Sequence, residues 1–124
     1  MKTIYITILF ITISLGSFAQ KTAQEFVGTW EIDLRPTPES EPYIKEFVVK
    51  SIKKNTLKGT FYGSQIKEGF INKKWRRTYF AFSTSDNTHT YYHSGYFLDG
   101  KVYAISYCPT RSLTTPWRGE IARN

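Results

Sequence analysis

From Gly28 onward the chain is written largely in a period of two. Trp30, Ile32 and Leu34 alternate with Glu31, Asp33 and Arg35, and short runs of the same kind recur almost to the last residue. Such alternation puts one side of an extended strand in an apolar core and the other in water. No stretch of this part keeps the three-to-four-residue spacing of an amphipathic helix. Thr22-Ala23-Gln24-Glu25 fits a capping box, so one helical turn is expected ahead of the first strand. Pro36, Pro38 and Pro42 make residues 36–42 a loop, because proline cannot donate to a sheet ladder. Residues 43–53 read as a second strand, Lys54-Asn55 as a turn, and 56–64 as a third strand with Leu57, Gly59, Phe61 and Gly63 on one face. Residues 65–71 extend that strand or form another short one. A polar loop at 72–75 leads to strands at 76–83, 88–97 and 101–108, the last two joined by Asp99-Gly100, a strong hairpin signal. Residues 117–123 close the sheet. Seven or eight short strands left open would expose edges that invite aggregation; closure into a barrel or a two-sheet sandwich removes them, and consecutive hairpins favour the up-and-down barrel over a Greek key. The expected fold is therefore all-β, an antiparallel up-and-down barrel of about 7–8 strands.

The first residues do not belong to that barrel. Lys2 supplies a positive charge, Ile4 to Leu15 are apolar apart from Tyr5, Thr7, Thr12 and Ser14, and Ser17-Phe18-Ala19 offers small residues at the two positions a signal peptidase inspects. Residues 1–19 are read as a signal peptide and 20–124 as a single β-barrel domain, so the protein is expected to be exported, periplasmic or extracellular. The rival reading is an uncut N-terminal anchor helix. Ser17 stands about where a lipoprotein signal would need cysteine, so no lipid anchor is expected. Cys108 is the single cysteine, which excludes an internal disulfide, and it reads as a small buried residue ahead of Pro109. A formal charge of +7, lowered by one if Lys2 is removed, favours anions. With an export signal it points to polysaccharide, anionic lipid or no specific partner, and not to nucleic acid.

Phe26-Val27-Gly28-Thr29-Trp30 ahead of an amphipathic strand resembles the start of calycin barrels, the lipocalins, fatty-acid-binding proteins and avidins. The resemblance implies that Trp30 plugs the closed end of the barrel, that Gly28 allows close approach there, and that a basic residue of the last strand, Arg118 or else Arg123, stacks on the indole. The length and the runs Leu57–Ser64 and His93–Phe97 are most similar to avidin. The avidin ligand residues do not carry over. Ile32, Phe61 and Gly63 stand where that family has Asn, Tyr and Ser, so biotin is not the expected ligand.

Two function classes follow. The first is an exported, lipocalin-like binding protein for a small apolar or aromatic, weakly anionic ligand. Its expected inner face carries Phe61, Phe80, His89, Tyr91, His93, Tyr103 and Tyr107, broad apolar area with a few polar handles. Those handles need partners, which a partly wet cavity would supply. The second is a filled barrel whose basic loop, Lys73, Lys74, Trp75, Arg76 and Arg77, contacts an anionic glycan or lipid surface. The bland reading of that loop is a solvated hairpin. His89 and His93 could share a metal only with a third ligand, for which Asp86 and Cys108 are guesses, so neither metal nor cofactor is expected. No nucleophile motif or marked carboxylate pair occurs, and an enzyme is not expected.

Overall fold

The computed structural model describes residues 23–122. The signal-peptide reading and Arg123 lie outside them. A single 3₁₀ turn, Ala23–Phe26, leads into β1 (Gly28–Asp33). Eight strands follow: β2 (Ile44–Lys53), β3 (Thr56–Phe61), β4 (Ser64–Gln65), β5 (Lys67–Asn72), β6 (Thr78–Ser85), β7 (Thr90–Leu98), β8 (Lys101–Cys108) and β9 (Leu113–Ile121).

Every pairing is antiparallel, and neighbours in space are mostly neighbours in sequence. β9 pairs with β1, with Trp30 opposite Ile121, so the sheet returns to its start. Eight strands make a closed barrel, and the short β4 lies outside it against Thr60 and Phe61. The up-and-down barrel expected from the sequence is what the chain adopts.

Three local departures have physical causes. The run at 64–72 breaks into two strands at Ile66, which turns inward while its amide donates to the Gly59 carbonyl (3.0 Å), and Glu68 takes a left-handed conformation. The last strand begins at Leu113, not at Trp117, and runs through Pro116. β1 reaches only as far as Arg118, so on that side Leu113–Trp117 have no neighbouring strand, and a residue without an N–H is tolerated. Gly59, with φ of 158°, sits opposite the irregularity between Val49 and Ser51 of β2. A Cβ there would collide with the Val48 carbonyl, so only glycine lets the two backbones meet.

The barrel interior is a cluster of rings. Phe47 is fully buried at its centre, with centroid distances of 5.2 Å to Phe82, 5.7 Å to Phe80, 5.9 Å to Trp117 and 6.0 Å to Phe61. One end is sealed by Trp30, 1 % exposed, whose indole N–H donates to the Phe26 carbonyl (3.0 Å). Phe97 lies 4.9 Å from Trp30 and 4.5 Å from Phe26. Gly28, at φ of 148°, opens the strand there, and a Cβ would meet the Ile121 side chain at 3.2 Å.

Candidate functional site

The interior has one polar island, built by three strands and the final tryptophan. His93 of β7 is almost wholly buried. Its Nε2 lies 2.9 Å from Thr84 Oγ1 on β6, and its Nδ1 lies 2.6 Å from Ser106 Oγ on β8. Trp117 Nε1 donates to the same Ser106 oxygen (2.8 Å). Because β6–β7–β8 are in regular register, Thr84, His93 and Ser106 point inward at nearly one level, with His93 directly opposite Ser106. Phe61 and Phe82 flank the imidazole at 4.2 and 4.7 Å. Burial pushes its pKa down from 6.5 to about 4, so His93 is a neutral hydrogen-bonding group at physiological pH. Among the described residues no buried side-chain nitrogen or oxygen lacks a partner. The polar inner groups therefore satisfy one another, and the wet cavity expected for them is not needed.

The expected inner face separates into three sets. Phe61, Phe80 and His93 do point inward and are buried together. Tyr91 shares their face but sits half-buried at the rim, where its hydroxyl accepts from Arg111 (2.8 Å). His89 lies in the loop before β7, with Nδ1 2.7 Å from Thr110 Oγ1. Asp86 accepts from the Thr88 and His89 amides there, which lowers its pKa. Tyr103 and Tyr107 are a correction, because both face outward. The Asp99-Gly100 turn pairs Phe97 with Val102 and His93 with Ser106, so Val102, Ala104, Ser106 and Cys108 carry the inner face of β8. Tyr103 instead stacks on Tyr96 outside (5.3 Å), and Tyr107 is 51 % exposed beside Tyr92.

Arg118 is a second correction. It is exposed on the outer face of β9, opposite Tyr103 and Asp33, while its neighbour Trp117 takes the inward position. Trp30 is covered by Phe26 and Phe97 instead, and among the described residues no cation stands over it. Cys108 is fully buried, its sulfur 3.5 Å from Thr110 Oγ1. Among the described residues no three His, Cys, Asp or Glu side chains gather as metal ligands.

At the rim opposite Trp30, Lys45 Nζ stands 4.8 Å from the Tyr43 ring and 5.1 Å from the Tyr62 ring, and the two phenols are in hydrogen-bond contact, which raises the Tyr62 pKa. Asp33, bonded to Arg35 (2.6 Å) and to the Tyr43 amide, is held down at about 2. That pair fixes the start of the proline loop.

The basic loop occupies residues 73–77 between β5 and β6. Lys73, Lys74, Trp75, Arg76 and Arg77 are all exposed, Trp75 at 70 %. Asn72 Oδ1 accepts from the Lys74 amide (2.9 Å) and shapes the turn. Arg77 alone leans back, its guanidinium 4.4 Å from the Tyr96 ring. Two open grooves of about 310 and 390 Å³ lie elsewhere on the wall, the first beside Tyr92, Ile105 and Tyr107, the second beside Asp33, Lys101 and Arg118.

Trp117, Ser106 and Thr84 were not singled out by sequence reasoning, yet they complete the polar island. Trp117 reads as the first residue of the closing strand, with Pro116 hiding the run before it that fixes its inward face, and a lone Ser or Thr in an alternating run carries no signal of its own. Comparison of the chain with protein-family models, with curated proteins and with solved structures finds no match, so the arrangement of its own residues carries the functional reading.

Proposed function

We propose that the protein is an exported, filled β-barrel that acts through its outside, binding an anionic partner with the loop Lys73, Lys74, Trp75, Arg76 and Arg77. The observation that carries this is the interior itself. Rings around Phe47 occupy the space a ligand would need, while Trp75 and its flanking cations stand free in solvent. Exposed cations keep their charge and attract anions over about 8 Å at physiological salt, and an indole adds stacking area. The proposed role is binding without turnover. The test replaces Lys73, Lys74, Arg76 and Arg77 by glutamine and measures retention on an immobilised sulfated glycan and on anionic vesicles. Retention on either by the unaltered protein should fall strongly in the variant; unchanged retention overturns the reading.

A buried aromatic cluster is also compatible with a small apolar ligand held beside His93, Ser106 and Thr84, provided that phenyl rings swing aside to admit it. Native mass spectrometry of the protein from its own host tests this second reading. A stoichiometric copurifying molecule supports it, and an empty protein removes it.

A further inference from the structure

We infer that the anionic partner is a lipid bilayer, met end-on by the Trp30 end of the barrel through two loops and not one; this rests on the outward-acting reading above. β6 starts at Thr78 opposite Phe97, and Phe97 packs on Trp30, so the 73–77 loop belongs to the sealed end. The β2–β3 turn belongs to it too. The Ile71 amide donates to the Asn55 carbonyl (2.9 Å), which locks that turn beside the end of β5. Lys53 and Lys54 therefore join Lys73, Lys74, Arg76 and Arg77 as six exposed cations on one end. Among the described residues the one ion pair is Arg35 with Asp33, so none of the six is neutralised by a salt bridge. The exposed acids at this end are Glu25 and Asp99, with Glu120 on the adjoining wall opposite Lys101. Across the side wall the charge differs: Glu31, Glu46 and Glu120 stand in one outward row over β2, β1 and β9.

Three features favour a plane over a chain. The cations sit in two turns at one end of the barrel, Arg77 folding back on Tyr96, whereas the open grooves that could cradle a strand lie on the side wall, and the larger contains Glu31, Asp33 and Glu120. Trp75 sits at the tip among the cations, and an indole is the side chain best suited to the headgroup layer, apolar over most of its surface with one N–H for the polar side. Clusters of four to eight Lys and Arg are the usual footprint on anionic lipid.

The test uses the protein purified from its own host with vesicles of phosphatidylcholine, with and without phosphatidylglycerol, and with soluble heparin. Trp30 and Trp117 are buried, so a change in indole emission on binding reports Trp75. The expected result is binding only to the anionic vesicles, a blue shift that a bromolipid quenches, and loss of that shift in Trp75→Phe. Each cation near such a surface strengthens binding roughly fivefold, so Lys53→Gln with Lys54→Gln together should weaken it roughly 25-fold. Binding to heparin but not to vesicles overturns the bilayer and leaves the anionic partner standing. Binding to neither overturns both. Vesicle binding that ignores Lys53 and Lys54, or that leaves Trp75 in water, overturns the two-loop surface. Unchanged emission from Trp30 and Trp117 in each free variant shows that the barrel has folded.

Discussion

The two faces of the barrel wall sort aromatic rings by a single oxygen atom. Inside stand Phe47, Phe61, Phe80, Phe82 and Phe97, all buried; outside stand Tyr79, Tyr92, Tyr96, Tyr103 and Tyr107, all wholly or partly exposed. The two ring types have nearly the same shape and apolar area. A phenol brings a hydroxyl that needs a partner, however, and a buried one without a partner costs about 1–3 kcal/mol. The inner wall admits polar groups only where they close on one another, as at Thr84, His93, Ser106 and Trp117. The exceptions are Phe70, 59 % exposed on the outer face of β5, and Tyr91, half-buried at the rim of the inner face with its hydroxyl bonded to Arg111.

The comparison can be broken most forcefully at its centre. Phe47→Ala should cost about 3–5 kcal/mol in urea unfolding, since the cavity is ringed by side chains that cannot all collapse into it. A loss below about 1 kcal/mol would mean the interior is loosely filled. The next effect is set by pH. His93 binds its proton at about 4 when folded and at 6.5 when unfolded, so the unfolded chain takes up protons first as pH falls. Stability from this group is complete above pH 6.5, declines below it, and by pH 4 should have lost roughly 3 kcal/mol. The Asp33 contribution is lost only below its ordinary value of 3.8, towards 2, which keeps the two windows apart. Thermal melts between pH 7 and 4 should flatten in His93→Gln, and a slope that survives the substitution would remove His93 as its source.

A smaller pair of changes exchanges the oxygen directly. Phe80→Tyr should lose about 1–3 kcal/mol, whereas Tyr103→Phe should stay within about 0.5 kcal/mol. Equal losses in the two would end the argument from hydroxyl satisfaction. Smallest of all, Arg118→Ala should change stability by no more than about 0.5 kcal/mol and leave the indole emission unaltered, because that side chain covers no tryptophan. A large loss with a red shift would restore the guanidinium over Trp30.

The barrel was legible because alternation, proline breaks and Asp99-Gly100 all point the same way. The face of each strand was legible only where one face is plainly apolar. Residues 101–108 have apolar side chains on both faces, so alternation alone left Tyr103 and Tyr107 inside, whereas the register of the hairpin sends them out. The same geometry bears on Arg118: it follows Trp117 in an extended strand, and both cannot face inward. The gathering of Lys53 and Lys54 with the 73–77 loop was not readable, since it depends on β3 pairing with β5 across an irregular connection.

Cys108 has a consequence for how the molecule would be watched in motion. Its sulfur is sealed on the inner face of β8, and it is the one thiol of the chain. A thiol reagent can reach it only when β8 parts from its neighbours or the end beside Thr110 swings open. The rate at which the protein is alkylated therefore measures how often the closed sheet breathes, much as amide exchange does, but with a single mass change at a single atom. Conditions that tighten the wall should slow that clock, and those that charge His93 should quicken it.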